Sequence, residues 1–67
     1  MITYNPLWST LINKGMTKTE LRVQAGFSTG TLARMGKGQY IEMKHIESIC
    51  LVLECDIEDV VRVVRDN

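Results

Sequence analysis

Several things are scarce in this 67-residue chain, and each scarcity excludes something. One proline, with 24% charged against 45% apolar residues, is not the composition of a disordered or low-complexity chain. The longest unbroken apolar run, Ile49 to Leu53, has five residues, far short of the roughly 20 that a membrane span needs. The opening MITYNPLW has neither a basic stretch nor a long apolar one, so no export signal is read there. Two cysteines, Cys50 and Cys55, are too few for a disulfide framework and, without an export signal, point to a reducing cytoplasm. At this length residues 1–67 are read as one small domain. Such a chain buries only about 60% of its unfolded surface, so a second copy is a natural supplement to its core.

Net charge is also missing, since eight Lys and Arg balance eight Asp and Glu. That total argues against a uniformly basic protein, but its distribution says more. The first thirteen residues carry no charge. From Lys14 to Lys44 six basic residues face two acidic ones, a surplus of four, and from His45 onward six acidic residues face two basic ones. The middle of the chain is thus fitted to meet an anion and its last third is not.

Helix punctuation is clear through most of the sequence. Asn5 and Pro6 read as N-cap and first-turn proline, followed by Leu7, Trp8, Leu11 and Ile12 on one stripe and an end at Asn13, Lys14 and Gly15. Thr17 to Glu20 is a capping box, with Met16 and Leu21 at staple positions, and the helix it opens stops at Gly26. Ser28 caps a third helix, Ser28 to Met35, with Leu32 and Met35 inward and a loop from Gly36 through Tyr40. A fourth runs from Glu42 to Leu53 with Met43, Ile46, Ile49, Cys50 and Leu53 on its apolar stripe. Asp56 can cap a last element in which Ile57, Val60, Val61 and Val64 keep helical spacing. The run VVRVV is equally suited to a strand, and both readings stay open. Ile2 to Tyr4 reads as extended, so the two termini can pair within one chain or between two.

The segment TKTELRVQAGFSTGTLARMGKG, Thr17 to Gly38, resembles the helix-turn-helix of the Cro/C1 (Xre) repressor family in Leu21, Ala25, Gly26, Phe27, Ser28, Leu32 and Met35. From ITYNPLW to LECDIEDVV the chain is similar to small stand-alone regulators of that type. Two positions depart from the pattern: Arg22 stands where Ala is usual, and Gly36 where Glu is usual. The resemblance implies an all-α, compact five-helix, lambda-repressor-like domain with its helix-turn-helix at residues 17–36. It further implies a cytoplasmic transcription regulator, a repressor binding a pseudo-palindromic site in double-stranded DNA as a homodimer, with the third helix in the major groove. The family's base-reading positions fall on Thr29, Gly30 and Arg34. A 100° helical rotation, with Leu32 and Met35 inward, independently turns Gly30, Ala33, Arg34 and Lys37 outward with Thr29 at the edge. Arg34 is suited to guanine and Ala33 to a thymine methyl. Helix starts and flanking loops supply backbone contacts, here Lys18, Thr19, Ser28, Thr31, Lys37, Gln39, Tyr40 and Lys44. The terminal segments, with Ile2, Tyr4, Val60, Val63 and Val64, are the expected dimer surface.

Other chemistry finds little support. Gly30 to Gly38 has five residues between its first two glycines, one too many for a phosphate loop, and lacks the Ser or Thr that would hold magnesium. Cys50 sits on an apolar stripe, no CxxC accompanies Cys55, and His45 is alone on a polar helix face, so no enzyme, metal site or cofactor is expected. The rival reading is a protein-interaction module of the same fold, antitoxin-like, with DNA binding weak or lost.

Overall fold

In the computed structural model, which describes residues 1–65, the chain runs β1 (Ile2–Thr3), α1 (Asn5–Lys14), α2 (Lys18–Ala25), α3 (Thr29–Gly36), α4 (Met43–Leu53), a single 3₁₀ turn (Ile57–Asp59) and β2 (Arg62–Val63). Among the described residues the α-helices therefore number four, not five. After Asp56, whose backbone N–H donates to the Asp59 carboxylate at 3.1 Å, the chain makes one turn and then extends. The β-branched run that follows does not continue the helix. It pairs antiparallel with the start of the chain instead, Ile2 opposite Val63 and Thr3 opposite Arg62. The termini thus pair within one protomer.

Local chemistry accounts for the helix ends. Thr17 and Glu20 form the reciprocal capping box, the Glu20 N–H donating to Thr17 Oγ1 at 3.1 Å and the Thr17 N–H to Glu20 Oε1 at 3.0 Å. Gly15 and Gly26 close α1 and α2 in the left-handed conformation at φ 66° and 80°, where a side chain would be strained. Asn5 is not the cap of α1 but its first residue; its N–H is taken by Thr3 Oγ1 at 3.2 Å, so the cap lies further back in the chain than the Asn-Pro pair suggests. At the end of α4, Glu54 is left-handed (φ 52°) and the Cys55 N–H reaches the Cys50 carbonyl at 3.1 Å. This closing loop sets the two half-buried thiols side by side.

Leu7, Leu11, Leu21, Phe27, Met35, Ile46, Ile49, Leu53, Tyr4 and Val60 form the core, with α2 lying against α4 and α1 against the 3₁₀ turn. Each fully buried aliphatic side chain contributes about 1.5–3 kcal/mol by leaving water. Two residues assigned to inward stripes are instead exposed, Ile12 on α1 and Met43 at the start of α4. Two long-range contacts tie distant segments together: the Tyr4 phenol donates to the Gln39 carbonyl at 2.7 Å, and Thr10 Oγ1, whose one proton is shared between the Pro6 and Asp59 carbonyls at 2.9 Å each, joins α1 to the 3₁₀ turn. The first pins the loop after α3 to the terminal sheet. Among the described residues, no helix is long and apolar enough to cross a membrane.

Candidate nucleic-acid interface

The turn between α2 and α3 is built by three residues that each satisfy a different demand. Gly26 takes the left-handed conformation, Phe27 is buried in the core, and Ser28 caps α3 by accepting the Thr31 N–H at 3.1 Å. Arg22, one of the two departures from the family pattern, packs against this turn. Its stem is half-buried and its Nη1 donates to the Phe27 carbonyl at 3.3 Å, satisfying a turn carbonyl that α3 leaves unpaired. Behind the turn, the His45 ring meets Phe27 edge-on with centroids 6.0 Å apart. His45 is therefore half-buried packing and not a solvated group on a polar face.

Outward from this turn, Thr29, Gly30, Ala33 and Arg34 are all exposed along α3, with Lys37 beyond its end. Lys18 and Thr19 are exposed at the start of α2, where first-turn amides have no acceptor within the helix. Ser28 is exposed between the two sets. No Asp or Glu lies between Glu20 and Glu42 in the sequence, so α3 itself carries Arg34 and no carboxylate. Gln39 and Tyr40 are exposed in the loop that Tyr4 holds; Lys44 is exposed too, but its ammonium lies 3.7 Å from Glu42, which offsets part of its charge.

Three of the sequence assignments do not fit this geometry. Thr31 is 3% exposed, turned inward onto Ser28 and Arg34, so it has no surface to offer a phosphate. Tyr4 and Val60 are 2% and 0% exposed and belong to the protomer core, which leaves Ile2, Val63 and Val64 as the accessible part of the terminal segments. Ile2 and Val63 line an open groove of about 410 Å³, whose walls are mostly apolar and include Tyr40, Met43 and Ile57. One contributor was missed in the sequence: the Lys18 ammonium sits 4.2 Å from the centroid of the Trp8 ring, a cation–π contact between α1 and α2 that steadies the cation. Only an unpaired aromatic on the outer edge of α1 could have signalled it.

Among the described residues, no three His, Cys, Asp or Glu side chains gather as a metal site. Burial pushes both the Cys50 and Cys55 thiols above their ordinary value, which keeps them protonated and poorly nucleophilic.

The family model of the Cro/C1-type helix-turn-helix DNA-binding domain matches residues 6–66. The solved structure of the transcriptional regulator VanUg, form II, is similar with a TM-score of 0.93 at 35% identity, over 97% of this chain and 87% of that one. No curated protein sequence matches the chain.

Proposed function

The chain belongs to the Cro/C1-type helix-turn-helix DNA-binding domain family, and from that membership we propose that it is a sequence-specific regulator of transcription that represses by occupying its site on double-stranded DNA. In this reading residues 1–67 act as a single domain. Helix α3 lies in the major groove, which is about 12 Å wide and admits one helix. Arg34 grips guanine O6 and N7, Thr29 and Ala33 contact neighbouring base edges, and Gly30 lets the backbone come close. Lys18, Thr19, Ser28, Lys37, Gln39, Tyr40 and Lys44 hold phosphates and set register. The reading carries no catalytic step. The observation that supports it best is the exposed face of α3, which carries Thr29, Ala33 and Arg34 and no carboxylate. The resemblance to VanUg, named as a transcriptional regulator, points the same way.

A homodimer would set two α3 helices about 34 Å apart, one turn of duplex. Ile2 and Val63, which line the apolar groove, and the exposed Val64 next to them in the chain are the surface proposed for that contact. The same groove favours the second reading, a protein-interaction module, because a protein partner could cover it as well. Sedimentation with and without duplex separates the two. A mobility-shift series in rising salt tests DNA binding itself: log K should fall against log salt by about 0.9 for each phosphate neutralised. A chain that shifts no duplex even at low salt, yet captures a protein partner, would replace this reading with its rival.

A further inference from the structure

Thr31 is a hydroxyl residue in the first turn of α3, yet it is almost wholly buried. Its Oγ1 meets two side chains that flank the proposed DNA face, accepting from Arg34 Nη2 at 3.1 Å and lying 3.1 Å from Ser28 Oγ. The Thr31 backbone N–H donates to the same Ser28 oxygen at 3.1 Å.

The inventory of protons gives this chain of bonds a direction. A guanidinium only donates, so Thr31 Oγ1 is the acceptor for Arg34. Were Ser28 to donate to Thr31, the Thr31 proton would be stranded in a buried place, because among the described residues Oγ1 has no other partner. Thr31 therefore donates to Ser28. The Ser28 oxygen then accepts twice, from the Thr31 N–H and O–H, and its own proton is left to point into solvent, where Ser28 is exposed.

We infer that Thr31 is a positioning residue: its buried hydroxyl holds the Arg34 guanidinium along α3 and turns the Ser28 hydroxyl outward, setting a base-reading group and a phosphate donor together before duplex DNA arrives. The inference rests on α3 being the helix that meets DNA. Arginine has five N–H donors, and the bond to Thr31 spends one, which leaves enough for a two-pronged grip on guanine. A long side chain that is already held loses less rotamer freedom on binding, and the gain appears as affinity for the cognate base.

The test compares Thr31→Val, which keeps the shape and removes the hydroxyl, with Thr31→Ser, which keeps the hydroxyl. Affinity is measured for the selected duplex and for one altered at the base pair that Arg34 reads. Thr31→Val should lower the ratio of the two affinities by about two- to tenfold, the ordering cost of one long side chain, and Thr31→Ser should restore it. The salt slope should stay the same, because no cation is removed. A purely structural role would weaken both duplexes alike. Side-chain ¹⁵N relaxation of Arg34 in the unaltered free protein gives a second readout, and should report a restricted guanidinium. An undiminished ratio in Thr31→Val, or a freely moving Arg34, overturns the inference while leaving DNA binding intact. An unaltered chain that binds no duplex removes the DNA-binding reading, and the inference with it.

Discussion

Gly30→Ala separates what α3 needs for stability from what it needs for a ligand. Gly30 is the second residue of an eight-residue helix, with no positive φ, and a Cβ there would meet only Ser28 Oγ, at 3.7 Å, an ordinary contact. Nothing within the protomer requires glycine. Replacing it with Ala should stabilise the fold by about 0.4–1 kcal/mol, chiefly by restricting the unfolded chain. For a domain of this size that is a rise in Tm of about 2–8 °C. The added methyl projects from the face that carries Thr29, Ala33 and Arg34, against the base edges if α3 lies in the groove. Overpacking a close contact costs about 1–3 kcal/mol, which is roughly a 5- to 150-fold loss of affinity. Urea unfolding followed by the fluorescence of Trp8 gives the first quantity, and anisotropy of a labelled duplex gives the second. A variant no more stable than the parent would refute the account of the Gly30 backbone; a more stable one with unchanged affinity would refute the close approach of α3 to DNA.

Tyr4→Phe removes the phenol that holds the Gln39 carbonyl, and should cost about 1 kcal/mol, or 4–8 °C in Tm. Burial, partly offset by the Ile41 backbone, keeps that phenol above its ordinary value near 10, so the folded chain retains a proton that the unfolded chain loses. Stability should therefore fall as pH rises above about 10, and less so in Tyr4→Phe; Cys50 and Cys55 act alike in both proteins, so the difference isolates Tyr4. At the acid end, the bonds from Thr17 hold the Glu20 carboxyl below its ordinary 4.5. It stabilises the fold above that pH and ceases to as pH falls through its folded value, so urea midpoints of Glu20→Gln should decline less steeply in acid. Val63→Lys places a charge on a residue 60% exposed beside the apolar groove. It should lower the dimer mass in sedimentation without changing the protomer's Tm, and an unchanged mass would argue against that surface.

What could be read in the sequence was whatever is settled within a few residues. Thr17 with Glu20 opens α2, Ser28 opens α3, and the glycines at 15 and 26 close α1 and α2, each by bonds to near neighbours, and all stand where the pattern put them. The end of the chain was undecided because VVRVV serves helix and strand equally, and only the distant Ile2 decides for the strand. Thr31 was misplaced because its polar character suggested surface, while the buried row on α3 runs through Thr31 and Met35, four residues apart, and leaves Leu32 at the margin. The same distance effect hid Tyr4 on Gln39 and Lys18 over Trp8. These are tertiary contacts between elements whose packing no local pattern specifies. The outward face of α3 was legible, because it is what remains once the inward positions are filled.

The most direct test of that face is selection of bound duplexes from a random pool, run in parallel with the unaltered chain and Arg34→Ala. The unaltered chain should enrich a pseudo-palindrome whose half-sites lie about 34 Å apart, each with a guanine at one position. Arg34→Ala should lose preference at that position alone, at a cost of about 1–3 kcal/mol. Enrichment of no sequence, or of the same sequence with the guanine retained in Arg34→Ala, would contradict the assignment of α3 as the helix that reads DNA.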